Sequence, residues 1–127
     1  MSLLDLAKHA VIQIATESYQ ALDAAAAGIA RFEEFCNVLA AHDLNIEATA
    51  APIKDSPGPL RVIFCIFLTS EHAYQSETLL RTLVAMGCSY KLHTRGTDNS
   101  LTYIVTADGA GDVPNFTLRI FPIRCAA

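Results

Sequence analysis

The side chains with the widest chemical repertoire are four cysteines, Cys36, Cys65, Cys88 and Cys125, and four histidines, His9, His42, His72 and His93. No pair among them shows the close ligand spacing of a structural zinc site. A cysteine nucleophile would need Cys65 or Cys88 beside His93 or His72 as base. Neither cysteine stands in a nucleophile turn or at a helix start, the settings that lower a thiol pKa, so core packing is expected of them. The loop Asp108-Gly109-Ala110-Gly111-Asp112 lacks the further acidic ligands of a calcium loop, and Val113-Pro114 leads towards a strand rather than the helix a phosphate loop requires. Glu33 and Glu34 are neighbours on a helix and face different sides, so they form no carboxylate dyad. No catalytic residue, metal ligand or cofactor is assigned.

What remains are cations interleaved with apolar side chains at alternate positions. If strands run through residues 60–69, 88–95, 101–106 and 116–123, period two puts Arg61, Ile63, Cys65, Phe67, Lys91, His93, Arg95, Thr102, Ile104, Thr106, Thr117, Arg119 and Phe121 on one face. The candidate binding residues are Arg61, Phe67, Lys91, His93, Arg95 and Arg119. An apolar floor with a basic rim suits three uses. Self-association through the patch comes first. A protein partner or a small ligand carrying a carboxylate or phosphate on a hydrophobic body comes second. Single-stranded nucleic acid, stacked on Phe67 and Phe121, comes last, because a chain of net charge -4 lacks the basic excess of such binders.

These residues are positioned by the stretch Leu60 to Thr69, LRVIFCIFLT, apolar on both of its alternating faces and therefore read as a strand covered on both sides. Upstream, Ser2 and Asp5 form a variant capping box that opens a helix. Leu4, Ala7, Val11, Ile14, Ser18, Ala21 and Ala25 then recur at spacings of three and four as one apolar stripe. Gly28 interrupts the pattern before Ile29, Phe32, Phe35, Cys36 and Leu39 resume it. Two helices joining around residues 23–28 are preferred to one rod, which at about 1.5 Å per residue would need roughly 60 Å of partner surface. An unbroken rod would call for a dimer.

Leu44 to Ala50 alternates as an edge strand, and Pro52 to Pro59 reads as a loop with Pro57-Gly58-Pro59 its clearest break. Thr69 or Ser70 caps a helix from Glu71 to Met86 with Tyr74, Leu79, Leu80, Leu83 and Val84 inward, and Gly87 suits its left-handed end. Cys88 to Arg95 and the strand beginning at Leu101 form a hairpin about 96–99. A turn over 108–115 then leads to a last strand from Phe116 to about Ile123. The fold class is α+β in a single domain, 1–127, with a helical part over 1–43 and a sheet with one helix over 44–127. A helical pair and a third helix pack on one face of a four- to five-stranded, mainly antiparallel sheet. The order αββαβββ is a permutation of the ferredoxin-like arrangement.

The chain is 52% hydrophobic and only 17% charged over its 127 residues. That balance points to apolar surface used against another chain. Residues 1–59 hold 3 basic and 8 acidic side chains and residues 60–127 hold 6 and 5. The helical half is therefore acidic and the sheet half slightly basic. No secretory leader is read, because the first apolar positions are helically spaced and broken by Asp5, Lys8, His9 and Gln13, and no apolar run approaches a membrane span. Dispersed cysteines suit a reducing, cytoplasmic compartment. The reading that follows is a non-enzymatic cytoplasmic interaction or regulatory module, homo-oligomeric and bound to a protein partner, of the kind phages encode as inhibitors of host proteins. The alternative is a small anionic-ligand binder or enzyme with its pocket on the basic sheet face or between subunits.

Overall fold

A computed structural model describes residues 2–54 and 60–122. The element order is α1 (Leu3–Ala24), α2 (Ala26–Ala40), β1 (Glu47–Lys54), β2 (Leu60–Leu68), a 3-10 turn (Ser70–Gln75), α3 (Ser76–Ala85), β3 (Ser89–Arg95), β4 (Leu101–Thr106), a 3-10 turn (Asp108–Ala110) and β5 (Phe116–Ile120). The class is α+β. Five strands lie in the order β1-β2-β5-β4-β3. The central pair β2 and β5 is parallel, and the other three pairs are antiparallel. The chain leaves β2 through α3 to reach β3, with β5 and β4 between them, a split β-α-β crossover. The last strand ends at Ile120, short of the expected Ile123, and the proline-rich break Pro57-Gly58-Pro59 lies outside the described residues.

Alternation decides the core face. Phe64, Ile66 and Leu68 of β2, Phe116, Leu118 and Ile120 of β5, and Val105 of β4 are buried together. From above, α2 contributes Phe32, Phe35, Cys36 and Leu39, and α3 contributes Leu79 and Leu83. Phe32 packs edge-on against Phe64 with ring centres 5.1 Å apart and lies 5.5 Å from Phe116, which Phe35 meets at 5.7 Å. Each such side chain, taken from water, contributes about 1.5–3 kcal/mol before ordering costs. The connections are closed by named groups. Asp43 adopts φ 61 after α2. The Gln75 amide donates to the Asp43 carbonyl at 2.9 Å while its carbonyl oxygen accepts from the Asn45 N–H at 2.8 Å.

Several boundaries differ from those read in the sequence. The first strand begins at Glu47 rather than Leu44 and runs through Pro52 to Lys54, which the composition assigned to a loop. A sheet-edge strand tolerates a residue without an N–H, so Pro52 sits opposite Val62 without breaking the ladder. The helix expected from Glu71 starts as a 3-10 turn, and this rotates Tyr74 out to 70% exposure. Val84, also expected inside, is exposed as well.

The helical region is two helices, but not a hairpin. A single residue, Ala25, separates them: its N–H closes α1 on the Ala21 carbonyl at 3.0 Å, and its carbonyl accepts from Ile29 N–H at 2.9 Å to open α2. An antiparallel helix pair needs a loop of about two to five residues, so this junction is a bend. Ala21, Leu22 and Ala25 are half-buried where the end of α1 lies against β1 and β2. Every residue from Ser2 to Thr16 is exposed, and α1 overhangs the sheet.

Candidate functional site

Among the described residues the architecture leaves open the outer face of the sheet, the overhang of α1 and a smaller patch of Val84, Tyr90 and Leu92 beside α3 and β3. Register places the outer-face side chains in rows. One row runs Thr94, Thr102, Arg119, Phe67 and Glu47 across all five strands, and the next runs Lys91, Ile104, Thr117, Cys65 and Thr49. Phe67 and Arg119 are thus neighbours on adjacent strands. The Phe67 ring stacks on Phe121 at 6.4 Å and 23°. The Arg119 guanidinium lies 4.7 Å from the centre of the Phe121 ring. That distance is within cation-π range. Cys65 Sγ and Thr117 Oγ1 are 2.9 Å apart in the second row, which ties that thiol to a hydroxyl rather than to an imidazole.

Of the six candidate binding residues, only Phe67 and Arg119 come together. Arg61 is remote, six positions from Phe67 on the same strand and opposite Ile53. At the rise of an extended strand that is about 20 Å. Lys91 keeps its outer-face place opposite Ile104, on the edge strand β3, two strands from Arg119. His93 is the extra residue of a bulge between Leu92 and Thr94. Past it the pairing shifts by one, so Thr94 takes the outer position opposite Thr102 and Arg95 falls opposite Leu101 in the helix-side register. The unbroken alternation of Lys91, His93 and Arg95 on one face does not survive the bulge.

Sequence reading missed the residues that neutralise Arg119. The β3–β4 turn is built on Asp98, whose Oδ1 accepts from the Ser100 N–H at 2.9 Å, with Asn99 at φ 65. The same carboxylate stands 3.7 Å from Arg119 Nη2, which also lies 3.4 Å from Ser100 Oγ. The hydrogen bonds from Ser100, followed by the Arg119 charge, hold Asp98 below the usual carboxylate range. Arg119 Nε is shielded and has no hydrogen-bond partner among the described residues. Only the register linking β5 to the turn beside β4 brings Asp98 here, and no local motif announces it.

A groove of about 410 Å³ follows the line where α2 meets β1, bordered by Ile29, Glu33, Cys36, Ala40, Ile46 and Ala48. Its cysteine is a weaker nucleophile than an ordinary thiol: burial, then the Glu33 charge, pushes Cys36 up to about 11. Burial also raises Cys88. Among the described residues no three His, Cys, Asp or Glu side chains gather as a metal site, and no helix is long and apolar enough to cross a membrane.

The overhang carries the larger apolar surface. Leu4, Val11 and Ile14 are 63%, 67% and 56% exposed, with Leu3, Leu6 and Ile12 beside them. They belong to the same stripe whose later members, Ser18, Ala21 and Ala25, are half-buried near the sheet. The helix is closed at its start by Ser2 Oγ, which accepts from the Asp5 N–H at 3.2 Å and donates to the Asp5 carboxylate at 2.8 Å. This departs from the full capping box, in which the carboxylate three residues on reaches the backbone N–H of the cap.

Fold and surfaces define an open-faced two-layer α+β domain with an overhanging apolar helix. Compared with family models, curated proteins and solved structures, the chain matches none.

Proposed function

We propose that this chain is a non-enzymatic interaction module that works as a homo-oligomer and presents a second surface to a protein partner, as a regulatory adaptor or inhibitor does. One observation carries the reading: the apolar stripe of α1 is half-buried where it meets the sheet and exposed beyond it. A helical segment of about 12–15 residues is marginal in water by itself, and its stability in proteins comes from packing an apolar face. A stripe of Leu4, Ala7, Val11 and Ile14 therefore requires a cover. The open sheet face, with Phe67, Phe121, Ile63 and Ile104, offers the partner a mixed apolar and threonine-rich surface. The free thiols of Cys36, Cys65 and Cys88 support a reducing, cytoplasmic setting.

A small anionic ligand at Arg119 is the second reading, favoured by the unpartnered Nε. Asp98 already supplies a counter-charge there, which weakens it.

Sedimentation velocity on the wild type and a Val11→Glu variant tests the proposal. The wild type is expected to sediment as a dimer or larger species and the variant as a folded monomer, since Val11 stands on the exposed overhang outside the core cluster. Identical sedimentation of the two would remove α1 as the self-association surface.

A further inference from the structure

The geometry points to an antiparallel pairing of α1 with α1 of a second copy, overhang against overhang, as the contact that builds the oligomer. This rests on the self-association proposed above and adds its geometry. The seam on α1 runs Leu4, Ala7, Val11, Ile14 and continues as Ser18, Ala21 and Ala25, the heptad spacing of a helix pair. From Ser18 onwards that side of the helix lies against β1 and β2 of its own chain. A second helix in the seam must end where the sheet begins. A parallel partner cannot, because its own residues 17–25 and its own sheet would arrive at the same place and collide with the first. An antiparallel partner arrives there with its N-terminus and carries its sheet to the opposite end.

The lengths match as well. The exposed segment, residues 3–16, is about 21 Å of helix. Antiparallel overlap of two such segments sets Leu4 against the second copy's Ile14 and Ala7 against its Val11, and the twofold axis repeats both layers. Ala7, the one small side chain in the exposed part of the seam, then meets a branched one. Parallel overlap would stack Ala7 on Ala7 and leave a void between the Leu4 and Val11 layers. Antiparallel helices also align their macrodipoles favourably.

The area sets the strength. Covering half the flank of a helix about 21 Å long removes roughly 400 Å² per copy, about half of the ~800 Å² per partner in a standard stable interface. The pairing is therefore a concentration-dependent dimer, and because its seam is apolar, salt does not dissolve it.

Mixed-disulfide trapping tests the pairing. Full-length Ala7→Cys and Val11→Cys chains, both changed at exposed positions, are oxidised singly and as a mixture, with the wild type as control for the native thiols. Antiparallel pairing is expected to give at least about tenfold more covalent dimer in the mixture than in either alone, because only the 7-to-11 pair meets disulfide geometry. Homotypic Val11→Cys cross-links, or none in a chain whose mass in solution is dimeric, would overturn the antiparallel arrangement and leave self-association standing. A monomeric mass at about 100 μM, a concentration that would populate even a weak dimer, would overturn both.

Discussion

Cys36 shows how little of a residue's chemistry follows from its type alone. It sits on α2 among Phe32, Phe35 and Leu39 at the wall of the α2–β1 groove, and burial with the Glu33 charge pushes its thiol up to about 11. The ordinary value is 9.0, so at pH 8 its thiolate population is on the order of a hundredth of that of an ordinary thiol. Alkylation of the folded chain, followed by mass spectrometry of its peptides, should find Cys36 modified far more slowly than in the denatured chain, with the gap narrowing only as pH approaches about 11. Fast alkylation at pH 8 would contradict its burial. The linkage has a definite sign: a raised thiol pKa contributes stability that is fully present below 9.0 and is lost as pH rises through about 11. The expectation that Cys65 and Cys88 are packing residues could be read from their apolar, alternating surroundings. The pairing of Arg119 with Asp98 could not, since twenty-one positions separate them and only the turn's geometry brings them within 3.7 Å.

Among the elements, β2 was the most legible as a strand because its run LRVIFCIFL is long, β-branched and aromatic, and no turn residue interrupts it, but the expected cover on both faces is present only on the side of Phe64, Ile66 and Leu68. The partners of β2 were not legible. Parallel pairing with β5 is decided by the crossover through α3, and nothing within Phe116–Ile120 encodes a parallel neighbour. The bulge at His93 was hidden for a related reason: Ser89 to Arg95 alternates cleanly as a sequence, and the extra residue is visible only against β4. Bulge and edge proline have a shared consequence, since β3 and β1 are the two sheet edges and both devices discourage edge-to-edge pairing. The turns that close α3 and follow β4 meet back to back. Gly87 has φ 94, a Cβ there would overlap the Gly109 carbonyl, and the Gly109 N–H donates to the Gly87 carbonyl at 3.1 Å. Gly87→Ala therefore combines left-handed strain with a backbone clash and is expected to cost about 1–3 kcal/mol in denaturant unfolding. An unchanged midpoint would show that the two turns do not touch. Composition assigns residues 108–115 to a turn and gives no sign that Gly109 within it is a packing contact.

For the molecule as a whole, a core on one side of the sheet and apolar surface outside it are complementary facts. The 52% hydrophobic fraction is not consumed by the core cluster of α2, α3 and the inner sheet face, and the excess is visible as the α1 overhang. The stripe itself was plain in the spacing of Leu4, Ala7, Val11 and Ile14. That half of it would lie beyond the sheet was not, because spacing shows which face a helix will bury but not where the covering layer stops. Absolute mass by light scattering after size exclusion, at about 100 μM chain and at low and high salt, tests self-association most directly. A dimer or larger assembly at both salts, with no loss at high salt, is the expected result. A monomer at both would contradict it, and would make the sheet face around Phe67 and Arg119 the leading surface for a partner.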